Sequence, residues 1–497
     1  MGRRKRTTFT TLGVDIFILI CDNLQAVDLI SLRKTCKITS QLTKLRTIWL
    51  NAIRSVMHRH SVPEALFPIN TMPTSLLEHA ALAPHRMLSI LKGSHGVTVL
   101  PMAIRVLAPR LSNAEKEEYG VTDVGTLYDS CPESTGRYLI SLSAYDAFIL
   151  FTVWDLGICG NETIEPVARY REMAPEKLFI EGFYHGPGPD TLLVVSRHES
   201  SFLTPVSLSN QPKISFVAKL ELPFASPFII PSIHQVPETS KLVVRYDDDE
   251  ETTHLWVWDF QKDFVAGLIP ADYISTGRDM TLCYHDSILI TSRTEGRIRV
   301  YNIPPLLPRN VVLVPTEQKP AIIISAPWQT TESFFCGHEL AMKQSPYFLG
   351  ITPTQLSFFE AAASNPSKDL KLPNKLPIVV GCIEGTDLDL WNQNRRIISL
   401  QKCEDYLLLP GPSGIDLDSG DLVVFSITTR DIFSGGAHAK PKKAILSNFL
   451  ARKGMKVRKF CPLLGRLCIH TKQRHHHFRT DHCVYILDYL GSPTPQY

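Results

Sequence analysis

A strand–turn–strand unit recurs seven times between residue 136 and the C-terminal end of this 497-residue chain, and no other feature limits its fold so strongly. Each copy is an apolar run, a polar turn and a second apolar run that often ends near aspartate or asparagine. The copies read GRYLISLS with FILFTVWDL from Gly136, TLLVVSRH with FLTPVSLSN from Thr191, SKLVVRYD with HLWVWDF from Ser240, and DSILITSR with RIRVYNI from Asp286. A weaker copy, PYFLGITP with LSFFEAA, starts at Pro346. DYLLLPGP with DLVVFSI and GRLCIHTK with CVYILDYL follow from Asp405 and Gly465. Successive starts lie 46 to 60 residues apart, with a mean near 55. A lone hairpin cannot bury both its faces, so evenly spaced copies must stack. Radial stacking into a propeller hides the inner strands and leaves only short edges. Seven copies favour about seven blades, and the weak copy leaves six or eight open. Two separate β-sandwiches are the competing arrangement.

Three of the second runs end in Trp154-Asp155, Trp258-Asp259 and Tyr301-Asn302. These endings resemble those of WD-repeat proteins. The glycine–histidine partners of that family are missing, so the resemblance implies a WD-repeat-like propeller and not a true member.

The N-terminal hundred residues have a different rhythm. Leu12, Ile16, Leu19, Ile20 and Leu24 recur at three- and four-residue intervals, which predicts a first helix with these on one face. Asp28 precedes Leu29, Leu32 and Cys36, where a carboxylate can cap a second helix and complement its dipole. Ile38, Leu42, Leu45, Ile48 and Trp49 predict a third. Three short helices bury little surface alone and need a neighbour or a helical partner.

The order Leu12-Gly13-Val14-Asp15-Ile16, then Ile20, Leu24, Asp28-Leu29, Leu32, Cys36-Lys37 and Trp49, resembles an F-box. The later helices and the overall layout are similar to those of the large fungal F-box families. The resemblance implies docking to the linker subunit of an SCF-type cullin ubiquitin ligase, with a separate C-terminal domain capturing an unknown protein substrate. It assigns partner contact to Leu12, Gly13, Ile16, Ile20, Leu24, Asp28, Leu29, Leu32, Cys36 and Trp49. The family usually has proline where Gly13 stands; proline pre-sets the first helical turn, so the difference bears on affinity and not on fold.

The resulting fold class is α+β multidomain. A disordered basic tail occupies 1–9, the F-box 10–55, a helical linker 56–96 and an all-β propeller 97–497. In the linker, Ser75 and Glu78 have capping-box spacing, Pro84 interrupts the helical pattern, and Gly93 and Gly96 mark the change of class.

The remaining polar features are weighed as loops before sites. Asp247-Asp248-Asp249-Glu250-Glu251 fills the turn of the third hairpin: a solvated acidic turn by default, a target-contact loop for a basic segment in the sharper reading. His475-His476-His477, near Cys468, His482 and Cys483, fills the equivalent turn of the last hairpin. Consecutive histidines diverge, which is poor geometry for one tetrahedral ion, so no metal is expected. If the register holds, both loops lie on one propeller face. The phosphate-loop, H-E-x-x-H and G-x-S-x-G spacings are all missing, and Gly186-Pro187-Gly188-Pro189 is too proline-rich to cradle phosphate. No enzymatic activity and no cofactor are expected.

A formal charge of +3 on a chain with 20% charged residues implies no global attraction to nucleic acid or membrane. Eleven cysteines without a C-x-x-C pair, together with a start that reads Arg3-Arg4-Lys5-Arg6 and not a secretory leader, predict reduced thiols in cytoplasm or nucleus. No run reaches the length a membrane helix needs. The basic cluster could serve nuclear import, though a solvated tail is the default. The sequon Asn161-Glu162-Thr163 is then accidental. The leading functional expectation is the ligase adaptor. Its alternatives are a propeller scaffold with a degenerate F-box, and a propeller hydrolase or sugar binder with acidic residues converging on its channel.

Overall fold

The computed structural model describes residues 12–60, 62, 66–94, 97–108, 110–123, 125–133, 135–173, 178–185, 192–198, 202–208, 214–216, 220–221, 232–235, 239–248, 252–271, 273, 280–284, 287–292, 297–309, 314–325, 334–336, 347–351, 355–363, 375–384, 401–412, 422–428, 442–446, 455–471 and 483–491. Five helices come first: α1 (Val14–Cys21), α2 (Ala26–Arg33), α3 (Lys37–Leu42), α4 (Arg46–Arg59) and α5 (Thr74–Gly93). Strands follow, with one further helix, α6 (Asn113–Tyr119), between them.

The helical segment departs from the sequence pattern in three places. The expected third helix is two, α3 and α4, broken at Thr43–Leu45. Tertiary donors hold the break open: Trp49 Nε1 and Arg33 Nη2 both donate to the Thr43 carbonyl, at 2.8 and 3.2 Å. Glu78 does not cap α5, which starts at Thr74 after Pro73. Its carboxylate instead accepts two bonds from Arg33 of α2, at 2.9 and 2.8 Å. Pro84 sits inside α5 without ending it, because Ala80, Ala81, Ala83, Met87, Leu88 and Leu91 are all buried around it. Burial of a large apolar side chain contributes about 1.5–3 kcal/mol, so a few such residues outweigh the ~3 kcal/mol cost of an interior proline.

Seven sheets of at least four strands are formed among the described residues, antiparallel apart from the short edge pairings of Thr98–Val99 and Thr316–Gln318. Each hairpin read from the sequence supplies two adjacent middle strands of one sheet, beginning with Tyr138–Ala144 and Ile149–Asp155 in the first and ending with Arg466–Thr471 and Cys483–Asp488 in the seventh. The weak copy is no exception: Tyr347–Ile351 and Gln355–Ala363 pair in the fifth sheet. First strands of neighbouring sheets lie side by side, Thr126–Pro132 against both Leu178–His185 and Met455–Cys461, and Met280–Tyr284 against Ser232–Gln235 and Phe334–Cys336. The β region is therefore propeller-like.

The last sheet borrows its fourth strand from far away. Ala103–Leu107 pairs antiparallel with Cys483–Asp488, Ile104 opposite Leu487 and Val106 opposite Tyr485. A buried ionic clamp locks this join. Asp488 accepts from Arg466 Nε at 2.6 Å and from Arg105 Nε at 2.9 Å. Arg466 also donates to the Gly136 and Gly157 carbonyls at 2.5 and 3.1 Å, and Arg105 to those of Leu156 and Glu162 at 2.6 and 3.0 Å. The seventh sheet is thus stitched to loops of the first. The aspartates closing other repeats are turn holders too: Asp155 pairs with Arg137, and Asp259 accepts from Ser240 and from the amides of Gln261 and Lys262.

Helices and sheets meet in two buried clusters. Phe17, Leu29, Trp49 and Ile53 belong to a buried cluster that includes Ile140, Phe151 and Val153 of the first sheet. Met87, Leu88 and Leu91 of α5 pack with Leu408, Val424, Leu467 and Tyr489 of the sixth and seventh sheets. Arg137 Nη1 donates to the Leu66 carbonyl at 2.6 Å, and Arg59 pairs with Glu404 in the first turn of the sixth sheet. Burial would raise the Glu404 carboxyl, yet His60 and Arg59 outweigh that and hold it below its usual value.

Deep in α5, burial first and the nearby Arg86 charge second push His79 down to about 4. Its Nδ1 lies 3.0 Å from Arg86 Nη1. The unfolded imidazole titrates near 6.5, so the contribution of neutral His79 to stability is complete above that pH and is lost as pH falls toward 4. Between pH 7 and pH 5 the chain is expected to lose roughly 2 kcal/mol of unfolding free energy from this group, at ~1.4 kcal/mol per pH unit. Urea melts of the wild type and of His79→Gln check this, the variant showing the flatter pH profile.

Candidate functional site

Past Asp15 the first helix is an unbroken apolar run, Phe17-Ile18-Leu19-Ile20-Cys21, and the periodic set Leu12, Ile16, Leu19, Ile20 and Leu24 does not form its inner face. Packing chooses Phe17 and Cys21, both sealed in the core. Val14, Ile16 and Leu19 are left outward at 47, 49 and 64% exposure. Leu12 and Ile20 are half-buried, and Leu24 packs against the core from its edge. Of the apolar residues read as a docking face here, Ile16 alone is among the outward set; Val14 and Leu19 stand beside it.

The other resemblance residues divide by role. Leu29 and Trp49 are fully buried and Leu32 packs against the same core, so these build the frame. Trp49 is its keystone: the indole donates across the α3–α4 break, and the Arg33 guanidinium carbon lies 5.3 Å from the ring centre. Arg33 in turn joins α2 to α5 through Glu78. Asp28 is exposed in the first turn of α2, where it complements the dipole, while the cap position belongs to Gln25. Cys36 is the exposed N-cap of α3, and its thiol is held below the usual value by hydrogen bonds with Thr39. Gly13 caps α1 with φ −62°, the angle proline would fix, and nothing lies within 4 Å of where its Cβ would stand. The departure from the family residue leaves the local geometry as proline would set it.

The acidic turn is organised by its own hairpin. Asp247 accepts from Thr253 Oγ1 at 2.6 Å and pairs with Arg245 at 3.2 Å. Asp248 accepts from the Thr252 amide at 2.8 Å and lies 2.8 Å from His254 Nε2. Asp249, Glu250 and Glu251 lie outside the described residues, as do His475, His476, His477 and the basic tail. Among the described residues no three His, Cys, Asp or Glu side chains converge as a metal site. No described helix is long and apolar enough to cross a membrane.

No protein-family profile matches the chain, and no curated protein does either. Solved structures do. The chain is similar to the β-propeller domain of Cps50 (Swd1) from Myceliophteria thermophila, at 11% identity and a TM-score of 0.40, covering 73% of this chain and 96% of that one. It is also similar to the WD40 domain of SCAP from fission yeast, at 11% identity and 0.34, covering 74% and 85%. A chain of the Mitotic Checkpoint Complex matches at 9% identity and 0.40, covering 80% and 93%. The propeller-like reading rests on the strand order given above.

Proposed function

We propose that this chain is the substrate-recruiting adaptor of an SCF-type cullin ubiquitin ligase. Its sheets form a seven-bladed WD-repeat-like ring that captures a protein target, and its F-box-like helices dock the linker subunit. It performs no catalysis itself. Its contribution is to raise the effective concentration of a target lysine near the ubiquitin carrier, in cytoplasm or nucleus.

The observation that carries this reading is the division of labour in the helical segment. Buried Leu29 and Trp49 hold a frame, while Val14, Ile16 and Leu19 of α1 stand outward and exposed. A protein interface draws most of its affinity from a few such central anchors.

Ile16→Glu with Leu19→Glu is expected to abolish co-purification with the linker subunit, a loss above about a hundredfold in affinity for two anchors of ~1.5–3 kcal/mol each. Both residues are exposed, so the melting temperature should hold. Undiminished co-purification of the double variant overturns the reading, and so does a wild type that brings down its target without the linker subunit; that second result assigns a scaffold with no ligase role.

A further inference from the structure

We propose that the outer edge of the sixth and seventh sheets, residues 97–106, docks an extended peptide segment of a partner, which adds itself as a further strand beside Ala103–Leu107. This holds whether or not α1 binds a ligase subunit. Three observations converge on the strip. Ala103–Leu107 is the terminal strand of its sheet, so its second backbone edge meets no strand among the described residues. Its side chains alternate: Arg105 turns inward to Asp488 and Leu107 is buried, whereas Met102, Ile104 and Val106 point outward at 70, 44 and 56% exposure. Val97 and Leu100, flanking the short edge strand Thr98–Val99 of the sixth sheet, continue the apolar run at 69 and 54%.

Edge strands are normally guarded against pairing by outward charges, a proline or a bulge. Here the one charged residue of the strand is spent on the ring clamp, no bulge interrupts its ladder, and Pro101 and Pro109 bracket the strand without entering it. The free edge specifies an extended occupant, because only a strand meets a row of backbone donors and acceptors. The alternation specifies its side chains: apolar, preferably β-branched, at every second position facing Ile104 and Val106, and no proline between.

Size decides against a second copy of the chain. The strip is ten residues long with five exposed apolar side chains, whereas a stable interface between two proteins takes about 20–30 residues from each. A peptide needs no more than the strip offers.

The test uses the full chain and a short fluorescent peptide with valine at alternate positions, threonine between them and lysine at both ends. The expected result is saturable binding by anisotropy, with slowed hydrogen exchange confined to the alternate amides of 103–107 that face away from Cys483–Asp488. Proline at the central position of the peptide, or Ile104→Lys with Val106→Lys in the protein, should weaken binding about tenfold or more, each tenfold being ~1.4 kcal/mol. The exchange measurement needs no variant, so it decides the matter even if the double substitution unfolds the chain. No saturation by the wild type, or equal binding of the proline peptide, overturns the proposal. So does sedimentation showing a dimer that Ile104→Lys with Val106→Lys dissolves, which would give the edge to a second copy.

Discussion

Asp488→Ala is expected to remove about 3–5 kcal/mol of folding stability, the usual cost of stripping one partner from a buried charge cluster. Asp488 is the single carboxylate between two guanidiniums, and Arg466 has no exposed surface. Its loss leaves two cations in the core beside carbonyls alone. Domains are stable by about 5–15 kcal/mol, so the variant should melt far below the wild type or fail to accumulate. Arg309→Ala is the control. Its 3.6 Å pair with Asp263 lies on the surface and should be worth less than about 1 kcal/mol. Urea denaturation of the three proteins measures the contrast, and equal midpoints for Asp488→Ala and the wild type would show that the clamp holds nothing together.

Trp49→Ala should cost about 3–5 kcal/mol as well, for a different reason. It empties the space of a fully buried indole, and it takes the indole donor from the Thr43 carbonyl. Trp49→Phe keeps most of the volume and loses the hydrogen bond, so it should fall between. Both variants should lower linker-subunit capture in step with the folded fraction. Ile16→Glu with Leu19→Glu should lower capture at full stability. Comparing capture with fluorescence-monitored unfolding separates frame from contact; a Trp49→Phe protein that is fully folded yet does not bind would move Trp49 from the frame to the interface.

The strands were legible because their signal is local. In the third hairpin, Leu242-Val243-Val244 and Leu255-Trp256-Val257-Trp258 are continuous buried apolar runs on either side of a turn rich in aspartate, and each half is the length of a strand. The borrowed fourth strand of the last sheet was not legible. Ala103–Leu107 carries no mark naming a partner nearly four hundred residues away, and its clamp joins three residues that mean nothing in sequence. In the helices, the unbroken apolar run of α1 hid which face is inside, and Phe17 was missed for that reason. The α3–α4 break, the passage of α5 through Pro84 and the pairing of Glu78 with Arg33 are tertiary decisions that override local preference. What could be read of the docking face was its composition; which of its residues look outward needed the packing.

The borrowed strand also sets a timetable. Arg105 and Asp488 are 383 residues apart, so at a synthesis rate of about 5–20 residues per second the first half of the clamp leaves the ribosome roughly 20 to 80 seconds before the second exists. Throughout that interval Ala103–Leu107 lacks the strand it pairs with, and the sheets encoded in between precede the clamp that stitches the seventh sheet to loops of the first. A chain lacking Cys483–Asp488 would leave Arg105 and Arg466 without their shared carboxylate and Ala103–Leu107 without the strand it pairs with.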